Sequence, residues 1–146
     1  MRKLVLILLI TLNYSCEPRI TNDPETLEKV FAMSSFDIEI KSYGCFHGSE
    51  EKFSVNKKND GFLLKSKRTN KSHLVLKSKM DSLKGFLKDR IGKETSGGCT
   101  LSEYLRIGTV LNSIDYEHRH CSGIEATIIN DLLNYRELIY EEETEK

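Results

Sequence analysis

The chain has no surplus of either charge: its 146 residues include 22 lysines and arginines against 22 aspartates and glutamates. A balanced chain offers no electrostatic footprint for nucleic acid, whose binding rests on clustered cations. Long apolar runs are missing as well. Residues 4–12 form an apolar stretch far shorter than the roughly 20 residues that cross a bilayer core, so no transmembrane helix is expected there. Internal repeats and low-complexity segments do not occur. Catalytic signatures are equally scarce: neither HExxH nor GxSxG is present. Gly92-Lys93-Glu94-Thr95 is no phosphate loop, because Glu94 occupies the place of the needed hydroxyl residue and Leu87 that of an earlier glycine. No catalytic residue is assigned on this basis, and no cofactor is expected.

What is present begins at the N-terminus. Arg2 and Lys3 precede the apolar stretch, and Asn13, Tyr14, Ser15 and Cys16 follow it, which is the layout of an export signal. The segment resembles bacterial lipoprotein signals, in a looser form similar to those of Bacteroidota. The resemblance covers residues 1–16 and implies cleavage after Ser15 and acylation of Cys16. Glu17 stands where an aspartate would mark inner-membrane retention, so the resemblance also implies the outer membrane of a cell envelope. Acyl chains contribute about 0.8 kcal/mol per buried methylene, enough to anchor a domain with no membrane-inserted protein. The expected division is a signal peptide over residues 1–15, a lipidated cysteine and polar tether over 16–23, one domain over 24–140 and an acidic tail over 141–146. About 130 residues remain after cleavage, enough for a single core.

With Cys16 given to lipid, Cys45, Cys99 and Cys121 remain. No two of them form a CxxC unit, and in an oxidising compartment a structural disulfide is the favoured use. Cys99 and Cys121 bracket a hairpin and are the expected pair, closing a loop worth about 3 kcal/mol. Cys45 is then left as a free thiol; if Cys16 is not acylated, Cys45 gains a partner.

Asp23 before Pro24 reads as an N-cap and predicts a short helix over 25–33. Phe36, Ile38 and Ile40 alternate with charged residues, the period of a half-buried strand. Further strands are expected around Phe53 and Val55, over 62–67 after an Asn59-Asp60-Gly61 turn, and over 73–77. Met80, Leu83, Phe86, Leu87 and Ile91 share one helical face over 79–91. Strands over 101–107 and 113–120 should form a second hairpin, in a register that pairs Ile107 with Ile114, Leu105 with Tyr116 and Glu103 with His118. A one-residue bulge near Gly97 and Gly98 would reconcile that register with a Cys99–Cys121 bond. Ser122-Gly123-Ile124-Glu125 is a capping box opening a last helix. The order α-β-β-β-β-α-β-β-α predicts an α+β domain: a mainly antiparallel sheet of about six strands packed on two to three helices, with one face left open.

His118 and His120 share a strand face and are weak metal candidates, needing a third ligand from His47, His73 or Cys45. Hydrogen bonding to Glu103 or water is the plainer use of the pair. Cys45 beside His47 does not make a nucleophile, since the flanking Gly44 and Gly48 place both in a loop and no third residue orients them. Gly44, Cys45 and Phe46 ahead of Phe53, Ser54 and Val55 resemble small Bacteroidota lipoprotein domains, with Ser49 and Glu50 where those carry Cys-Pro; the resemblance implies a fold and no activity. The expected function is a membrane-anchored, non-enzymatic binding or assembly module with a protein or glycan partner. The alternatives are an inhibitor of an extracellular lytic enzyme, using a loop over 43–50, and a metal protein or enzyme built on His118, His120 and Cys45.

Overall fold

The computed structural model describes residues 19–20, 22–43, 48–91, 102–119 and 124–139. Cys16, Cys45, Cys99, Cys121, His47 and His120 lie outside them, and with them the lipidation site, the expected disulfide, the free thiol and half of the histidine pair. Seven strands form one sheet: β1 (Arg19–Ile20), β2 (Ser35–Tyr43), β3 (Gly48–Lys58), β4 (Gly61–Ser66), β5 (Ser72–Leu76), β6 (Ser102–Gly108) and β7 (Asn112–Arg119). Their order in space is β1-β7-β6-β2-β3-β4-β5. Only β1 runs parallel to its neighbour; the other six strands are antiparallel, so the expected α+β architecture is present.

The helices are α1 (Pro24–Ala32), α2 (Lys77–Lys88), α3 (Ile124–Leu133) and α4 (Arg136–Ile139). Asp23 caps α1 by accepting from the Thr26 N–H at 2.8 Å and the Thr26 hydroxyl at 2.9 Å, while Pro24 needs no partner in the first turn. The helix turns Leu27, Val30 and Phe31 inward, and α2 does the same with Met80, Leu83 and Leu87. Asn134 ends α3 with φ +49, a left-handed conformation that asparagine tolerates. That stop divides the last helical stretch in two, and the polar turn after β4 secures the second piece. Arg68 donates to the Ile139 carbonyl at 2.7 Å, and the Thr69 hydroxyl donates to that of Leu138, satisfying carbonyls left free at a helix end.

The core follows from period 2. Register places Ser66, Phe53, Ile38, Ile107 and Ile114 side by side across five strands, and none is more than 1% exposed. This row and its neighbours meet the buried faces of the helices. Aromatic pairs tie the layers together: Phe31 with Phe36 at 5.5 Å and Phe86 with Tyr116 at 6.2 Å between ring centroids. The expected register of the second hairpin is the observed one, Ile107 opposite Ile114, Leu105 opposite Tyr116 and Glu103 opposite His118. Two features were not anticipated. β2 pairs with β6, joining the two hairpins into one sheet, and residues 19–20, expected as tether, form a strand on Asn112 and Ser113. No helix among the described residues is long and apolar enough to cross a membrane.

Candidate functional site

Alternation that sends Ile38 and Ile107 inward sends Asp37, Glu39 and Arg106 to the other face of the sheet. There, register builds a row of alternating sign across four strands: Asp115 on β7, Arg106 on β6, Glu39 on β2 and Lys52 on β3. Arg106 grips Asp115 with both arms of its guanidinium, Nε to Oδ1 at 2.7 Å and Nη2 to Oδ2 at 3.0 Å. Lys52 lies 3.1 Å from Glu39 and 2.7 Å from Glu50, and Lys41 lies 3.2 Å from Glu39. Lys67, just past β4, donates to Asp37 at 2.7 Å.

Asp37, Glu39, Lys52, Lys67 and Arg106 from this network line a cleft of about 370 Å³ on the open face. Lys52 and Lys67 form one side, Thr109 and Val110 of the β6–β7 turn the other, and Asp37, Glu39 and Arg106 lie between them. The floor is low because Gly108, opposite Ser113 and Asp37, has no side chain to fill it. Gly108 has φ +151, and a Cβ there would sit 2.2 Å from the Asn112 carbonyl oxygen, so the hairpin closes only with glycine. The bare floor is thus a by-product of the turn.

Burial works against the charged form of Glu39, yet hydrogen bonds from Lys52 and Lys41 outweigh it and hold the carboxyl below its ordinary value. Arg106 is kept protonated chiefly by its hydrogen bonds to Asp115. The Tyr104 phenol is pushed well up, first by burial and then by its hydrogen bond with Asp115. Asp23, through the Thr26 N–H, is also lowered. A carboxyl depressed in the folded state adds stability that is complete above its unfolded value and lost as pH falls through the folded one. The urea midpoint is therefore expected to drop as pH is taken from about 5 to about 3, and Glu39→Gln to flatten part of that drop. A midpoint indifferent to Glu39→Gln across this range would remove Glu39 from the acid response.

The expected metal candidates are not gathered here. His118 lies opposite Glu103 in the ladder, as expected, while His73 sits on β5, five strands away, roughly 24 Å at ordinary strand spacing. His73 Nε2 is 2.7 Å from the Leu133 carbonyl at the end of α3, a fold contact, so His73 cannot serve as the third ligand beside His118. Among the described residues no group of three histidines, cysteines or carboxylates is placed to hold a metal ion. Of residues 43–50, expected to protrude as a loop, Tyr43 and residues 48–50 are instead paired strand at the end of a β2–β3 arm that outruns β4, which stops opposite Phe53, while residues 44–47 lie outside the described residues. The row of charges was within reach of the sequence, because the register that pairs Ile107 with Ile114 also sets Arg106 against Asp115. No family model, curated protein or solved structure matches this chain.

Proposed function

We propose that the protein is an envelope module, held at the membrane by acyl chains on Cys16, that binds a polar partner on the open face of its sheet and performs no chemistry on it. The observation that carries this reading is the cleft, with three cations and two carboxylates in its lining that are ion-paired to partners within the protein. Paired charges cancel the field that a highly charged ligand would need, yet still present donors and acceptors at fixed positions. Sugar hydroxyls and peptide amides need both kinds of group, so a glycan or an extended peptide suits the cleft better than a nucleic acid or a lone ion.

A soluble peptidoglycan fragment carries hydroxyls, amides and carboxylates in one molecule and makes a suitable first ligand. Titrated into isotope-labelled protein, it is expected to move the amide resonances of Glu39, Arg106 and Thr109. Lys67→Ala should weaken the interaction about tenfold, on the order of 1.4 kcal/mol, without unfolding the domain, since its pair with Asp37 is largely exposed. Resonances unmoved at millimolar ligand, or moved only outside the cleft, would reject this reading for glycan and peptide of that class. A second reading, an inhibitor of an extracellular lytic enzyme, draws support from the β2–β3 arm, which outruns β4 and bears the exposed Tyr43. In that case Tyr43→Ala would abolish inhibition of the target enzyme and leave the cleft resonances alone.

A further inference from the structure

Val110 and Leu111, at the tip of the β6–β7 turn, are the most exposed of the large apolar side chains among the described residues, at 77% and 62%. β1 lies beside the base of this turn, Arg19 opposite Asn112 and Ile20 opposite Ser113. Because β1 runs parallel to β7, which leaves the turn at Asn112, β1 has its Arg19 end toward the tip. Cys16 is three residues before Arg19, a reach of at most about 11 Å when extended. An acyl group on Cys16 would therefore be tethered within reach of the most exposed apolar pair of the sheet.

Other residues share that end. A register row crosses the sheet through Gly108, Asp37, Ser54, Lys65 and Ser72, and from it β3 and β5 run toward the tip end as far as Lys58 and Leu76. Leu76 is 58% exposed, and Lys57 and Lys58 are exposed with no ion pair among the described residues. Apolar side chains flanked by unpaired lysines fit an interface of acyl chains and anionic headgroups.

We propose that this end of the sheet rests on the lipid surface, Val110 and Leu111 entering the interface and Lys57 and Lys58 lying against anionic headgroups. The inference rests on acylation of Cys16. It fixes an orientation: strands stand on the membrane, the cleft opens sideways just above it beside Val110, and Tyr43 at the far end of β2 points away. A lipid anchor alone would leave the domain free to tumble on its leash, whereas a second contact holds it upright.

The chain contains no tryptophan, so a single introduced indole reports without background. The full chain carrying Leu111→Trp is expressed in its acylating host and reconstituted into vesicles of zwitterionic and anionic phospholipid with brominated acyl chains. Its mass is measured on the same sample. The expected result is an acylated mass, a blue-shifted emission from position 111 and a loss of that emission to bromine, while a Tyr43→Trp reporter keeps the intensity it has without bromine. An acylated mass with position 111 quenched no more than position 43 overturns the orientation and leaves the anchor standing. A mass without acyl chains overturns both.

Discussion

Replacing Phe53 with alanine is expected to lower the unfolding free energy by about 3–5 kcal/mol, a large share of the 5–15 kcal/mol typical of a domain. The ring is fully buried on β3 between Ile38 and Ser66 in the ladder, and it meets Tyr135 edge-on at 5.8 Å between centroids. Neighbours held by strand pairing on both sides have little freedom to collapse into the space, so the cavity term should be near its upper range. Tyr135, between α3 and α4, would lose the surface it packs on, loosening the C-terminal turn together with the sheet. Urea unfolding followed by circular dichroism gives the value; a loss below about 1 kcal/mol, far under that expected for a buried ring, would place Phe53 outside the core.

Gly108→Ala should be nearly as damaging, costing at least about 3 kcal/mol, because two penalties coincide: a backbone region closed to side chains and an overlap with the main chain. The added Cβ would lie 2.2 Å from the Asn112 oxygen and 2.5 Å from the Ser113 Cα, neither of which is the end of a flexible side chain. Relief requires the turn to open, which breaks the contact of the Thr109 N–H with the Asn112 carbonyl and displaces the strand on which β1 rests. Hydrogen exchange at Thr109 and Ile114 should rise in this variant before exchange in β3 and β4 does. Equal protection in both proteins would show that the turn tolerates a side chain. Since the same glycine forms the cleft floor, binding should fall with the turn.

Local periodicity carried most of the fold. Alternation along 36–41 and the wheel of Met80, Leu83 and Leu87 give element types, and the apolar match of Ile107 with Ile114 gives a register, because a slip of one residue turns every side chain to the wrong face. The β2–β6 pairing was not legible: β2 presents the same alternation whichever strand lies beside it, and the choice depends on how hairpins and helices pack as a whole. Two residues are too few to show any period, which hid β1. The Asn134 stop was hidden because asparagine's left-handed tolerance is permitted, not required, by sequence. As for the cleft, its charged pairs follow from register, while its depth depends on the backbone at Gly108 and the turn beyond it, which no residue pattern reports.

The pairing of residues 37–43 with residues 102–108 has a consequence for how the chain reaches this state. β2 to β5 are joined by short connections and can assemble early, yet one edge of β2 has to wait for a partner from far along the chain, a slow step by loop closure. During that wait the central strand of the finished sheet is an outer strand, with its hydrogen-bonding groups open to any passing extended segment. Asp37, Glu39 and Lys41 alternate along that edge, and their charge discourages such pairing until β6 arrives. Asp37 and Glu39, which line the cleft in the finished protein, would thereby also disfavour aggregation of the unfinished one.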